Sequence, residues 1–208
     1  MDVRGRRSPG ASPRLTAQEA MQRALELLAA EGARGLVMRR LAGALNVSLP
    51  RLDVAIGSKD DLVVELVRRA TKDLLTAGVG GGRDPLRNSF ETFHRALLWL
   101  ELNPWFVDLI GMATSEQLAT AYRTTQDEPL MSEISGLFGA DPTGPEPTGW
   151  LLHGFIRSLL LAQELGAGPG NGSAQRVQLA VEVFAALAVA CRHHSSAVGH
   201  HRGMTPPR

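Results

Sequence analysis

The sequence predicts an all-α protein, with an N-terminal helix-turn-helix domain of three helices followed by a C-terminal helical bundle. Two observations predict this fold class: apolar residues recur at intervals of three and four in successive segments, and residues that begin or end helices stand at the segment boundaries. A third is the short stretch from 38 to 56, where two helices leave room only for a tight turn. The 208 residues, 44% of them hydrophobic, suffice for a small domain and a larger one.

The first helix is predicted to begin at Thr16 and to end at Gly32. Thr16 and Glu19 have the spacing of a capping box, in which both side chains bond to backbone N–H groups that lack partners inside the helix. Apolar residues between 21 and 28 then follow one helical face. Gly32 ends the helix because glycine adopts the left-handed conformation without steric cost.

A second helix is predicted from Met38 to Leu45 and a third after Ser48, joined by a tight turn. Asn46 tolerates the positive φ that such a turn requires. Ser48 is placed to cap the third helix, and Pro50 stands at one of its first positions, where a missing N–H has no consequence. A helix, a tight turn and a helix form the architecture that places the second helix in a DNA major groove.

A fourth helix is predicted to begin at Ser58. This residue is placed as a cap, and Asp60 and Asp61 put negative charge at the positive end of the helix dipole. The apolar stripe of this helix consists of Leu62, Leu66, Ala70 and Leu74.

The order of these features, AxELLxxxGxxxxxMRxLAxxLxVSxxxL followed by SKxxL, resembles the DNA-binding domain of the TetR family of transcriptional regulators over residues 15 to about 75. The resemblance implies a one-component repressor, in which a helix-turn-helix binds a double-stranded DNA operator and an all-helical domain binds a small-molecule effector and forms a homodimer. Lys59, at the start of the fourth helix, is expected to meet a phosphate. The expected DNA-binding positions are Arg39, Ser48, Leu49, Pro50, Arg51, Asp53 and Lys59.

Four positions depart from the family pattern. Val37 stands where a Thr or Ser usually caps the second helix, and its side chain cannot accept the backbone hydrogen bond. Asp53, Ala55 and Ile56 replace the usual Tyr, His and Phe at the end of the third helix. Three alternatives stay open for Asp53: it accepts from a cytosine amino group, it turns toward Arg51 or solvent without effect, or it repels phosphate and impairs DNA binding.

Charge and composition favour DNA as the partner. Residues 1–75 hold 13 Arg and Lys against 9 Asp and Glu, whereas residues 76–208 hold 9 against 12. No apolar stretch reaches the length of a membrane span and no secretory signal is present, and Cys191 is the only cysteine, so we expect a cytoplasmic protein with no membrane partner. The sequence lacks a nucleophile elbow, a dinucleotide glycine fingerprint and a metal-spaced cluster, so we expect no enzyme, cofactor or metal.

The remaining helices are predicted over 85–101, 104–111, 114–125, 130–138, 150–165 and 174–193, with a connection at 78–82 and a loop at 141–149. The predicted organisation is a disordered basic tail at 1–14, the helix-turn-helix domain at 15–77, a ligand-binding and dimerisation domain at 84–193 and a disordered tail at 194–208.

The last two predicted helices have apolar faces too wide for a monomer in water. A twofold four-helix bundle would bury them, which predicts a homodimer. The predicted interface consists of Leu151, Phe155, Leu159, Val177, Val181, Phe184 and Leu187.

The three Trp and the single Tyr all lie in the C-terminal domain, where large rings could line a ligand cavity or simply form core. His153 and Arg157 lie four residues apart on one helix face and could hold a carboxylate or phenolate, or could be an exposed pair. The candidate ligand-binding residues are Phe93, Trp99, Trp105, Phe106, Met112, Tyr122, Trp150, His153 and Arg157.

The predicted function is therefore a DNA-binding transcriptional regulator, a repressor released from its operator by a small, largely apolar ligand. The alternative is a dimeric ligand-binding or protein-partner module of the same architecture with impaired DNA binding. Val37 and Asp53 are the reasons for keeping that alternative.

Overall fold

The computed structural model describes residues 15–78, 85–123, 148–165 and 172–186, without the side chains of residues 85–89 and 148–151. Within these ranges the chain is helical throughout, which confirms the predicted fold class. The elements are α1 (Ala17–Glu31), a 3-10 turn (Gly32–Gly35), α2 (Met38–Ala44), α3 (Leu49–Ile56), α4 (Lys59–Gly78), α5 (Pro85–Leu102), α6 (Trp105–Met112), α7 (Ser115–Arg123), α8 (Thr148–Leu165) and α9 (residues 173–186).

The chain divides into two compact units, Met1–Leu62 and Val63–Arg208. Several predictions lie outside the described residues: both tails, the helix at 130–138, most of the loop at 141–149 and Cys191. The predicted domain boundaries remain a prediction.

The first helix of the first unit forms as predicted. The Glu19 N–H donates to Thr16 Oγ1 over 3.1 Å, and the Thr16 N–H donates to Glu19 Oε2 over 2.8 Å, so the capping box is complete. Gly32 ends α1 with a φ of 65° and a ψ of −160°, a backbone conformation that glycine adopts more easily than any residue with a Cβ. The buried face of the helix consists of Ala20, Ala24, Leu27 and Leu28.

Helices α1, α2 and α3 pack against one another around Leu28, Leu41 and Leu52, which are all fully buried. The turn between α2 and α3 contains Asn46 at a φ of 53°, which confirms the predicted positive φ. This packing fixes the angle at which α3 leaves the turn and exposes its other side to solvent.

The two helices of the turn both begin without a side-chain cap. Val37 begins α2 with no side-chain hydrogen bond, as predicted. Ser48 is the N-cap residue of α3, but its side chain makes no capping hydrogen bond, so that detail of the prediction was wrong. A cap hydroxyl normally accepts from the second or third helical residue. Pro50 at the second position has no N–H to donate, and the Arg51 N–H at the third position makes no bond to the Ser48 side chain.

The second unit has an aromatic core. The rings of Phe93, Phe155 and Phe184, from α5, α8 and α9, lie 4.9–5.9 Å apart between centroids. Helix α8 packs against both α5 and α7. The three rings are fully buried, so they hold these helices together as a hydrophobic core.

Candidate nucleic-acid interface and ligand cleft

Helix α3 has one buried face and one face that meets solvent. Leu52 is fully buried, whereas Val54 is 89% exposed. Successive residues of a helix are rotated by about 100° around its axis. Pro50 and Val54 are therefore each about 160° from Leu52, close to the side of the helix that is opposite Leu52. Asp53 lies beside Pro50 and Arg51 lies beside Val54 on the helix surface. The outer face of α3 therefore has two apolar residues in its middle, an acid at one edge and a guanidinium at the other.

The predicted DNA-binding residues are mostly accessible. Arg51 is half-buried, and the others are exposed: Arg39, Ser48, Leu49, Pro50, Asp53 and Lys59. Val54 was not predicted, although it is more exposed than any of the other large hydrophobic residues in the described chain. The signal was available, because it lies four residues after Pro50 on the side of a short helix away from Leu52.

Two exposed cations on the elements that flank α3 have no ion-pair partner among the described residues. These are Arg39 on α2 and Lys59 at the start of α4, and both are exposed. The neighbouring Arg40 differs, because its guanidinium pairs with the Glu31 carboxylate of α1. Arg39 and Lys59 therefore present charge that is not neutralised within the described structure.

The carboxylate of Asp53 is exposed and has no hydrogen-bond or ion-pair partner in the described part of the chain. The structure thus contains no pairing with Arg51, which was one of the possibilities considered for this residue. The carboxylate meets solvent on the side of the helix next to Pro50.

The position of Lys59 is fixed by a second capping box. Asp61 Oδ2 accepts from the Ser58 N–H at 2.8 Å and from its hydroxyl at 2.7 Å, and the Asp61 N–H donates to Ser58 Oγ at 3.2 Å. The Ser58 hydroxyl and then its backbone N–H lower the pKa of the Asp61 carboxyl, because both bonds favour the ionised form. The box therefore confirms Ser58 as the cap of the fourth helix and orients the first turn of α4.

Gly57 makes this cap possible. Its φ is 74° and its ψ is −152°, a region that residues with a Cβ rarely enter. A Cβ added there would lie 2.6 Å from Asp61 Oδ2. The sequence carries a usable signal for this role, since a glycine directly precedes a Ser-x-x-Asp cap.

The second unit contains a cleft of about 390 Å³ between α6, α7 and α8. The volume is within the range of small-molecule sites. Its lining is apolar over most residues, with four polar side chains among them. The lining residues are Val107, Ile110, Gly111, Ala113, Ser115, Leu118, His153, Arg157, Leu160, Leu161 and Glu164.

His153 and Arg157 meet in this cleft. Arg157 Nε donates to His153 Nε2 at 3.4 Å, so the imidazole accepts as a neutral base. Partial burial and then the positive charge of Arg157 lower the pKa of His153, because both disfavour the imidazolium. The prediction that these two residues share a helix face is confirmed, and they leave an exposed guanidinium at the wall of the cleft.

The aromatic candidates do not line this cleft. Trp99 packs edge-on against Trp105 and Phe106 at 6.0 and 5.4 Å, and Phe93 belongs to the aromatic core. Tyr122 is buried with its ring 6.1 Å from that of His153, and burial raises the pKa of its hydroxyl. Of the remaining two candidates, Met112 is half-buried and the Trp150 side chain lies outside the described residues.

The predicted dimer residues are mostly core of a single chain. Leu151 and Leu187 lie outside the described side chains, and Val181 is half-buried. The other four are fully buried and have no surface to offer a second chain: Phe155, Leu159, Val177 and Phe184. Exposed apolar residues in this unit are instead Phe90, Leu98, Leu102, Leu161 and Leu165.

The described ranges contain neither a metal-binding cluster nor a membrane-spanning helix. No group of three or more His, Cys, Asp or Glu side chains there could hold a metal ion. Among the same residues, no helix combines the length and the apolar character that crossing a membrane requires.

Comparison with known proteins gives a match in fold. No protein-family model matches the chain, and neither does any curated protein sequence. A TetR-family transcription regulator from Shewanella sp. PV-4 aligns with 18% identity over 85% of this chain and 98% of that chain, with a TM-score of 0.59. A TetR-family regulator from Streptomyces coelicolor aligns with 17% identity over 88% and 85%, with a TM-score of 0.57. The chain therefore has the fold of the TetR-family transcriptional regulators.

Proposed function

We propose that this protein is a transcriptional regulator that binds double-stranded DNA as a homodimer in the cytoplasm. The observation that carries the proposal is the exposed outer face of α3 together with two exposed cations on the elements before and after it, Arg39 and Lys59, that have no ion-pair partner among the described residues. A helix of eight residues is about 12 Å long, comparable to the width of the major groove. The cations on the flanking elements would then meet phosphates, while α3 meets base edges.

The test is selection of bound fragments from random double-stranded DNA, followed by measurement of the dissociation constant over a range of salt concentrations. The logarithm of the association constant falls with the logarithm of salt concentration, and each phosphate contact contributes about 0.9 to the steepness of this fall. Arg39→Ala removes one contact from each subunit of a dimer, so the slope should become shallower by about 1.8. Arg40→Ala is the matched control, because it removes the same charge from the same helix at a position already neutralised by Glu31. Equal slopes for the two variants would contradict the proposed phosphate contact.

A second candidate function is a dimeric module of the same fold that binds a ligand or a protein but not DNA. The exposed, unpaired carboxylate of Asp53 favours it, because a negative charge on the DNA-facing helix repels phosphates. Failure to enrich any sequence, together with an affinity for DNA that does not depend on salt, would exclude the regulator and leave this candidate to be tested by ligand binding.

The cleft of the second unit supports a small-molecule effector. The aliphatic side chains among its lining residues can pack against an apolar body, and the Arg157 guanidinium beside a neutral His153 suits one anionic group. We therefore assign the effector to the class of largely apolar carboxylates or phenolates. Binding of such a molecule would release the protein from its operator, as in a repressor, if the effector favours the conformation that binds DNA less well.

Decanoate is a suitable probe of the cleft, with decanol as its uncharged counterpart. Titration calorimetry should give tighter binding of decanoate than of decanol, and Arg157→Gln should remove the difference. Glu164→Gln is the control, because it removes a negative charge from the same cleft and should strengthen decanoate binding or leave it unchanged. Equal binding of the two probes would refute the anion contact, and an operator affinity unchanged by saturating decanoate would remove it as an effector.

Decanoate affinity should also rise as the pH falls through the range in which His153 gains its proton. The pKa of His153 is lowered in the free protein, so the imidazole is neutral at pH 7.5. A bound carboxylate favours the imidazolium, which couples ligand binding to proton uptake. His153→Gln should remove this dependence while it retains a polar group at the position, and an unchanged pH profile would show that His153 does not meet the anion.

A further inference from the structure

Val54 is an apolar side chain at a position where solvent-exposed helices normally carry polar residues. It is 89% exposed, compared with 37% for Leu49 and 48% for Val37 in the same unit. Pro50 lies one turn earlier on the same outer face and is also exposed. The part of α3 most distant from the buried Leu52 therefore offers methyl and methylene groups, with no hydrogen-bond donor or acceptor.

The charges around this pair define what can cover it. Exposed Arg39 and Lys59, on the elements before and after α3, complement a polyanion. One valine and one proline form far too small an apolar patch for a stable protein interface, which buries about 800 Å² on each partner. The occupant that fits both the charge and the size of the patch is the floor of a DNA major groove.

The apolar group that base pairs present in the major groove is the C5 methyl of thymine, because the other base edges there carry polar donors and acceptors. We propose that Val54 recognises a thymine in each half-site by packing against this methyl group. The inference depends on the proposed DNA binding, and it names a specificity-determining residue within it.

The test replaces the methyl group on the DNA and the side chain on the protein in a double-mutant cycle. Each thymine of the selected sequence is replaced in turn by deoxyuridine, which pairs identically but lacks the C5 methyl group. Dissociation constants are then measured for the wild type and for Val54→Ala. Because Val54 is almost fully exposed and alanine favours helix, this substitution is expected to leave the fold intact, which circular dichroism checks.

For the wild type, one thymine per half-site should lose about three- to fivefold in affinity when its methyl group is removed, the equivalent of about one buried methyl. For Val54→Ala the same replacement should have no effect. Asp60→Ala is the control, since it lies outside α3 and should retain the full sensitivity to deoxyuridine.

Two results would overturn the proposal. If a specific sequence is bound but no thymine in it is sensitive, or if Val54→Ala keeps the sensitivity, Val54 does not recognise thymine, although the protein still binds DNA. If no sequence is enriched, the proposed regulator function fails and the recognition by Val54 fails with it.

Discussion

Replacement of Gly57 by alanine tests whether the backbone before α4 sets the position of Lys59. The φ of 74° belongs to a region that costs a residue with a Cβ about 1–3 kcal/mol. The added Cβ would also lie 2.6 Å from Asp61 Oδ2, so the capping carboxylate would have to move, and loss of a cap costs about 1 kcal/mol. Gly57→Ala should therefore destabilise this region by about 2–4 kcal/mol.

Gly43→Ala is the matched control for this substitution. Gly43 lies within α2, and a Cβ there would meet no atom within 4 Å. Alanine in a helix interior is about 0.5–1 kcal/mol more favourable than glycine, so the same chemical change should stabilise α2. The two variants should thus have opposite signs, although they lie in the same unit.

Hydrogen exchange of peptides covering residues 38–62 is the appropriate assay, because it reports on local opening rather than on the unfolding of both units. A loss of about 2–4 kcal/mol corresponds to protection factors about 30- to 900-fold lower around α4 in Gly57→Ala. Asp61→Ala should add little in the Gly57→Ala background, since the cap is already displaced. Protection that is unchanged in Gly57→Ala, or that Gly43→Ala lowers equally, would refute the reasoning.

Four further predictions concern the core, the caps, the interface and the DNA-facing acid. Leu52→Ala should destabilise the first unit by about 2–5 kcal/mol, seen in the same exchange experiment, because Leu52 is fully buried. The capping boxes lower the pKa of Glu19 and Asp61 from ordinary values of 4.5 and 3.8. The stabilisation that the ionised carboxylates give to α1 and α4 should therefore be complete at neutral pH and be lost as the pH falls below those values. Acid titration followed by far-UV circular dichroism measures this loss. Val181→Arg should shift sedimentation toward the monomer if α9 contributes to the dimer, because Val181 is partly accessible, and an unchanged sedimentation coefficient would move the interface elsewhere. Asp53→Asn should tighten binding to unselected DNA by less than about threefold for each subunit of the dimer, as expected for one exposed charge near a phosphate, whereas a larger effect would mean that the acid impairs binding.

Local signals in the sequence were sufficient to predict the helix-turn-helix. The Thr16 capping box, the positive φ of Asn46 and the Gly32 terminus each depend on residues within a few positions of one another. Such interactions are determined by backbone geometry and side-chain chemistry alone, so they can be inferred without knowledge of the tertiary contacts. Ser48 was the exception: Pro50 removes one of the two usual donors, and the other, the Arg51 N–H, makes no bond to the Ser48 side chain.

The second unit could not be predicted to the same depth, because its apolar helices have more than one way to pack. Phe155 and Phe184 were expected at a dimer interface, yet they meet Phe93 inside the single chain. Periodicity identifies which face of a helix is buried but does not identify what buries it. The same limit applies to Trp99 and Phe106, which were expected to line a ligand site but pack against each other. Most residues that line the cleft are aliphatic, and in the sequence they resemble ordinary core.

In the proposed complex with DNA, the arrangement around α3 separates affinity from selectivity among sequences. Arg39 and Lys59 lie outside α3, so the attraction to phosphates does not depend on the residues that meet the bases. At about 7 Å in water, the repulsion between Asp53 and a phosphate is only about 0.6 kcal/mol, and salt screens it further. One mismatched base pair typically costs about 1–3 kcal/mol. An acid and a valine on the outer face of α3 thus weaken general attraction slightly, while a cytosine amino group and a thymine methyl group give each of them a favourable partner. This balance favours a selective regulator over a protein that has lost DNA binding.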